Sequence, residues 1–401
     1  MAKTMRPDGP ITGSNAATRR NPVTLIGPGE VGSQWLVTGH DMYKQFASDP
    51  RFSADHFRPG YPSVFPVRRR ATADGQKVWR TYSGMDAPDH AAHRRLIAPE
   101  FAARRIAELR PWVQRVVHDR LDRLFKGHET ADLEQEFAAM VAAEVISKLL
   151  GVPEDRINAW AHYSDILVGD GMDRASVAAA SAGFRAELAA FIADKDATPG
   201  ADLTSSLIAT YRRESSYAPE QVLEFVGAIF LAGLKSTASM IAVGALTLLE
   251  ASVAARLIAS GEPGAIARVV DELLRFHSIA DRVTARVAVE PVEIAGRTIC
   301  PGDGIVVSSF AANRDPTVFA DPDTFDVGRA RRRHVAFGYG PHRCLGEHLA
   351  RLEIEIALSA LFCRFPDLAL ADGYPRPSID TSAVFRRLTA PLMVSSPPSE
   401  R

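Results

Sequence analysis

Three cysteines in 401 residues are too few and too scattered for a disulfide framework or a cysteine-rich zinc site, since Cys300, Cys344 and Cys363 show no paired spacing. Neither sign of charge is in excess. The 47 Lys+Arg and 48 Asp+Glu leave −1, so nothing global draws the chain to nucleic acid or to an anionic membrane. The N-terminus lacks the apolar core of a signal peptide: Met1 to Asn21 is polar, with Lys3, Arg6, Asp8, Arg19 and Arg20, and reads as a disordered arm. The longest apolar run, Phe225 to Leu234, stops at Lys235 and is too short to span a bilayer. Repeats and low-complexity tracts are missing as well. The expectation is a cytoplasmic protein.

What is present is ordinary globular material, 46% hydrophobic and 24% charged. Length alone suggests two or three domains, but the pattern reads as one unit over 22–401. Gln34 to Thr38 looks like a strand and Asp41 to Ala47 like a helix. Arg51 to Gly84 has no sustained period, and a loop that long is usually functional. From Asp89 to about Asp196 the pattern is helical, punctuated by Gly127, Gly151-Val152-Pro153 and Gly169-Asp170-Gly171. Pro219 to Leu249 predicts one long helix, central because it is apolar almost all round, and Gly264 to Phe276 another. Strands follow at 287–289, 292–294 and 305–307, then a structureless stretch from Asn313 to Gly340. A last helix starts at Cys344, and the tail from Ala371 suggests a strand pair. The fold class is mainly α (α+β), a helix-rich body with a small β-rich region.

The strongest local signal is Phe337-Gly338-Tyr339-Gly340-Pro341-His342-Arg343-Cys344-Leu345-Gly346. Its glycines let the backbone turn tightly and approach a flat partner. Leu345, Leu349, Leu352, Ile356, Ala360 and Leu361 mark the following helix, so Cys344 lies at a helix N-terminus, where the dipole favours a thiolate. Taken alone, such a cysteine is more often a buried thiol.

The ten-residue pattern resembles the cysteine-ligand loop of the cytochrome P-450 family, Phe-Gly-x-Gly-x-His-x-Cys-x-Gly, with every fixed position met by Phe337, Gly338, Gly340, His342, Cys344 and Gly346. The resemblance implies that Cys344 ligates the iron of haem b, held between this loop and the long central helix. A thiolate pushing electron density onto iron is what O–O cleavage requires. Other motifs agree in order. Glu272-Leu273-Leu274-Arg275 matches the family's Glu-x-x-Arg, although such a pair is usually an exposed one. With Arg329 it implies a fold-holding cluster. Asp86-Ala87-Pro88-Asp89-His90 to Arg94-Arg95-Leu96 resembles the segment binding the haem propionates, with His90 and Arg94 at i and i+4. By the same resemblance Arg286 and His342 complete that cradle, whereas His93 falls outside the pattern and reads as surface. Ala311-Ala312-Asn313-Arg314-Asp315-Pro316 also matches, and the motifs together run from about Trp35 to Phe385.

One departure stands out. The family's Ala/Gly-Gly-x-Asp/Glu-Thr-Thr reads here Ala232-Gly233-Leu234-Lys235-Ser236-Thr237. In the family the small residues make room for dioxygen, the first alcohol orients it and the acid feeds protons. Here Lys235 reverses the charge and Ser236 lacks the methyl that fixes a threonine rotamer. Either Lys235 points to solvent, with water or Thr237 relaying protons, or proton delivery is altered.

The resemblance places the substrate pocket at 58–79, including Val64, Phe65 and Trp79, at 167–173 with Leu167, at Ala228 and Ala232, at Ile279 to Val283, and at Val384 and Phe385. Arg68-Arg69-Arg70 is a solvated run or a docking patch for an acidic partner. The implied activity is that of a bacterial monooxygenase oxidising a small molecule in secondary metabolism. Electrons would come from NAD(P)H through ferredoxin reductase and ferredoxin, because no flavin or iron–sulfur region is present. The chain would act as a monomer, away from membrane and nucleic acid. A non-hydroxylating reaction such as oxidative coupling is the alternative, kept open by Lys235 and Ser236. A haem sensor or carrier is a third reading, opposed by the oxygen-side helix and the long pocket loop.

Overall fold

The structure, a computed structural model, describes residues 22–29, 31–62, 82–169, 172–214, 217–330, 333–381 and 385–395. Strands β1 (Val23–Pro28) and β2 (Ser33–Val37) form a hairpin, followed by helix α1 (His40–Ser48) and the short β3 (Phe52–Ser53). Helices α2 (Asp89–Ile97), α3 (Ala103–Ala107) and α4 (Arg110–Leu124) lead to β4 (Thr130–Asp132). A π-helical stretch (Leu133–Ala138) then runs into α5 (Ala139–Leu150). Next come α6 (Glu154–Val168), α7 (Arg174–Ala197) and α8 (Leu203–Arg213), and then the 32-residue α9 (Pro219–Glu250). α10 (Ser252–Ala259) and α11 (Ala265–His277) close the helical body.

The β-rich part holds β5 (Thr284–Ala288), β6 (Val292–Ile294), β7 (Arg297–Ile299) and β8 (Gly304–Val307), ending in the single turn α12 (Ser309–Ala312). α13 (Glu347–Arg364) is the last helix, before β9 (Ala369–Leu370), β10 (Ile379–Asp380), β11 (Arg387–Leu388) and β12 (Met393–Ser395). The larger sheet has the order β1-β2-β8-β5-β3, with β2 and β8 parallel and the other pairs antiparallel. This is a helix-rich fold with small sheets, as the sequence implies.

Local chemistry explains the element ends. α5 stops at Gly151, whose φ of 78° suits glycine, and Pro153 cannot continue the helix. Asp173 and Asp202 cap α7 and α8 by accepting from the N–H of Ser176 and Ser205 at 3.0 and 2.9 Å. Asp303, buried at the start of β8, accepts from the Trp35 indole at 3.0 Å and from the Ser33 N–H at 2.7 Å, stapling the sheet's middle.

α9 is the axis of the main core and packs on α5, α7 and α13, among others. Beside it, the Trp160 ring is met edge-on by Phe184, Phe191 and Phe230, with centroids at 5.3, 5.3 and 5.2 Å. A second core lies under the sheet, around Trp35, Phe46 and Ile305. The uninterrupted apolar run understates α9. By length and composition both α7 and α9 could cross a bilayer, yet the apolar window of α9 is mostly buried within the fold.

Three expectations shift. β5 starts at Thr284, three residues before the apolar run, because Arg286 is buried in it and masks the strand pattern. α13 starts at Glu347 with Gly346 as its cap, so Cys344 precedes the helix rather than opening it. β4 escapes the sequence because it is three residues long and pairs with β12, more than 260 residues away.

Glu272 and Arg275 on α11 are 5% and 2% exposed and meet at 2.7 and 2.8 Å. Glu272 also accepts from the Asp326 N–H at 2.9 Å and from Arg329 at 3.3 Å. Arg275 donates to the carbonyls of Asn313, Pro322 and Thr324 at 2.9, 2.8 and 3.1 Å. Two helix side chains thus organise the strandless segment that leads to Cys344. Arg275→Ala leaves a buried carboxylate half-compensated and is expected to cost about 3–5 kcal/mol in urea unfolding. A loss under about 1 kcal/mol would mean that the cluster behaves as an exposed pair.

Candidate active site

The cysteine loop is held from both ends. Gly338 and Gly340 adopt φ of 75° and 73°, which only glycine enters freely, and a side chain at Gly340 would press on the Ala47 carbonyl of α1 at 3.0 Å. The Gly338 N–H donates to the Val335 carbonyl at 2.9 Å, and the Cys344 N–H returns to the Phe337 carbonyl at 2.8 Å. Upstream, the Val335 N–H donates to Asn313 at 2.7 Å, and Asn313 in turn to Ser278 at 2.8 Å. Downstream, Glu347 accepts from Arg343 at 2.6 Å and from Arg351 at 3.3 Å, while Arg351 also reaches Asp271 of α11 at 3.0 Å.

Cys344 is accessible, but protein surrounds the space it opens into. That desolvation pushes its thiol up to about 11, although the Gly346 N–H at the sulfur, Arg94 and Arg343 pull the other way. A thiol so placed stays protonated unless a cation sits on the sulfur, which is the position of a metal ligand. Phe337 lies half-buried beneath the loop beside Arg351, 5.3 Å from its ring centroid.

Four basic side chains from three elements converge next to it: His90 and Arg94 of α2, Arg286 of β5, and His342 of the 3₁₀ turn Gly340–His342. The rings of His90 and His342 lie 3.9 Å apart at 33°. Burial, reinforced by Arg94 and Arg286, lowers His90 to about 4; burial, with Arg286, His90 and Arg94, lowers His342 to about 2. His90 Nε2, Arg94 Nη1 and His342 Nδ1 are buried with no hydrogen-bond partner. The nearby carboxylate, Asp86, accepts from the Ser53 hydroxyl and from the Ala54 N–H at 2.7 Å. Cations and orphaned donors packed together, with their acid engaged elsewhere, fit a ligand carrying more than one carboxylate.

On α9, Ala228, Ala232 and Ser236 fall four residues apart on one helical stripe and are half-buried or exposed, as are Leu231, Gly233 and Lys235 among them. The candidates around it do not all share that stripe. A side chain at Gly233 would press on Ile146 of α5 at 3.0 Å, so this glycine serves close helix packing rather than oxygen room. Thr237 is buried in the helix body. Ser236 donates to the Ala232 carbonyl at 2.7 Å, and Lys235 pairs with Asp165 of α6.

Of the pocket candidates, Leu167 and Ile279 are buried, while Val283 and Phe385 are half-buried. The Arg386 N–H donates to the Ile279 carbonyl at 2.9 Å, which sets Phe385 beside that segment. Val64, Phe65, Trp79, Val384 and Arg68 to Arg70 lie outside the described residues. His93 is not a surface residue. It is half-buried, 3.0 Å from the Tyr211 hydroxyl and 2.9 Å from the Gln221 amide. Sequence reasoning also missed Tyr82, stacked on His90 at 6.0 Å, and Asp165, whose partner is 70 residues away.

Three comparisons bear on this arrangement. The family model "Cytochrome P450" matches residues 266–394. "Cytochrome P450 105A3" of Streptomyces carbophilus is 37% identical, over 87% of this chain and 83% of that protein. "20-oxo-5-O-mycaminosyltylactone 23-monooxygenase" of Streptomyces fradiae is 36% identical, over 87% and 79%. The crystal structure of cytochrome P450 MoxA from Nonomuraea recticatena superposes with a TM-score of 0.87 at 32% identity, covering 100% of this chain and 99% of that one.

A free histidine takes up its proton near 6.5, but His90 and His342 do so near 4 and 2. Between those values the unfolded chain binds more protons than the folded one, so stability falls as the pH falls below about 6.5. Urea unfolding of ligand-free protein should show this loss between about pH 7 and about pH 5. The double variant His90→Phe, His342→Phe should reduce it; an unchanged slope would mean that the two rings titrate normally.

Proposed function

The chain belongs to the cytochrome P450 family and is a P450 monooxygenase with a haem-iron cofactor, and on that premise we propose that it oxidises a small organic molecule in bacterial secondary metabolism. One observation carries the reading: an accessible cysteine lies beside three orphaned basic donors. Haem b fits that donor set. Cys344 would hold the iron, and His90, Arg94, Arg286 and His342 would take the two propionates. When bound, the haem supplies dioxygen activation under the push of a thiolate.

The chain's own residues do the rest. Arg94 and Arg286 neutralise the propionates, which allows His90 and His342 to donate as neutral rings. Gly346 steadies the sulfur through its N–H. Ala228 and Ala232 keep the opposite side open, and Ser236 is the polar group of that stripe. Glu272, Arg275 and Arg329 fix the segment that presents Cys344.

The redox partner would be a ferredoxin, reduced by NAD(P)H through a ferredoxin reductase. The chain would work in the cytoplasm as a monomer, without membrane or nucleic acid. The Streptomyces relatives and their names support secondary metabolism as its setting. A second reading, oxidative coupling or another non-hydroxylating reaction, draws on one observation. The acid position holds Lys235, already paired with Asp165, and the Ser236 hydroxyl is bonded back to its own helix. Isotopically labelled dioxygen separates the two, since hydroxylation leaves label in the product and coupling does not.

The reduced protein with carbon monoxide should give the strongly red-shifted Soret band of thiolate ligation, and Cys344→Ser should bind haem without it. Wild-type protein lacking the band would overturn the assignment.

A further inference from the structure

Helix α6 ends where the pocket begins, and Asp165 is the residue on which that end turns. Its carbonyl accepts the N–H of Gly169, the C-cap, at 3.1 Å. A side chain at Gly169 would meet that same carbonyl at 2.2 Å, so the chain leaves α6 tight against Asp165. Two residues on, Leu167 is buried in the main core. The Asp165 carboxylate points the other way, to the Lys235 ammonium on α9, next to Ser236. Lys235 also acts on the charge of Glu134 in the π-helical stretch. Asp165 is the carboxylate in contact with the ammonium.

We propose that Asp165 is a positioning residue: by claiming the Lys235 ammonium for α6, it holds the last turn of α6 against the central helix and leaves Ser236 as the polar group α9 presents to the pocket. The inference deepens the proposed function, since it takes the space over Cys344 as the substrate pocket. Lys235 then acts as one half of a tie between pocket wall and oxygen-side helix rather than as a proton donor. The pair is partly open, with side-chain exposures of 33% for Lys235 and 56% for Asp165, so salt weakens it. Its strength is that of an exposed pair, enough to change how often α6 lifts and too little to decide folding.

The test uses haem-loaded enzyme and two readouts. One is the release rate of 4-phenylimidazole, followed by the Soret shift; the other is amide hydrogen exchange over 160–168. Asp165→Asn and Lys235→Met should each speed both by about two- to fivefold at low salt, as expected of one exposed ion pair. Combining them should add nothing further, because each already removes the same interaction. The exchanged pair Asp165→Lys with Lys235→Asp should return both readouts towards wild type, and raised salt should speed wild type alone. Two single variants indistinguishable from wild type, or effects that add in the double variant, would overturn the proposal. Failure of the haem assignment is distinguishable: no Soret signal would appear in any variant, and hydrogen exchange would still judge the tie.

Discussion

Glu272 carries its charge inside the protein because two guanidinium groups and a backbone N–H close on it. An ion taken out of water costs several kcal/mol unless its lone pairs are met. Here the partners come from one helix and from the loop that follows it in space. The carbonyls of Asn313, Pro322 and Thr324 converge on Arg275, so a stretch without regular structure has one arrangement. Asn313 then ties that arrangement to Val335, three residues before Gly338. The position of Cys344 therefore depends on a charge cluster that touches neither the cysteine nor its cavity.

Around the cysteine the electrostatics are incomplete in two complementary ways. The thiol is held high by desolvation, and the basic groups beside it are held low by burial and by one another. A partner with a metal cation at its centre and carboxylates at its edge corrects both at once, which the haem of this family does. The protein contributes rigidity, since the loop glycines, the tie to Phe337 and the Glu347 ion pairs fix these groups beforehand.

The opposite wall is ordered by packing. Gly233 allows α5 to approach α9, while helical spacing sets Ala228, Ala232 and Ser236 along one side of α9. The family's acid is replaced here by a base, and the structure answers with an acid on the facing helix. That pairing moves Lys235 from proton chemistry to the mechanics of the pocket.

The sequence by itself determined the helix-rich class, the long apolar axis and the residues of the cysteine loop, because periodicity and glycine conformations are local properties. It also named His90, Arg94, Arg286 and His342 through motif order, though it could not show that two of those rings lie 3.9 Å apart. Only the tertiary structure decided that Gly233 meets Ile146, that Thr237 is turned away from the open stripe, and that Asp165 answers Lys235. It also moved His93 from the surface to a half-buried bridge between Tyr211 and Gln221. Each of these depends on which helix lies opposite. Contacts between residues 70 or more positions apart are set by the packing of whole elements, and no local pattern in the chain records them.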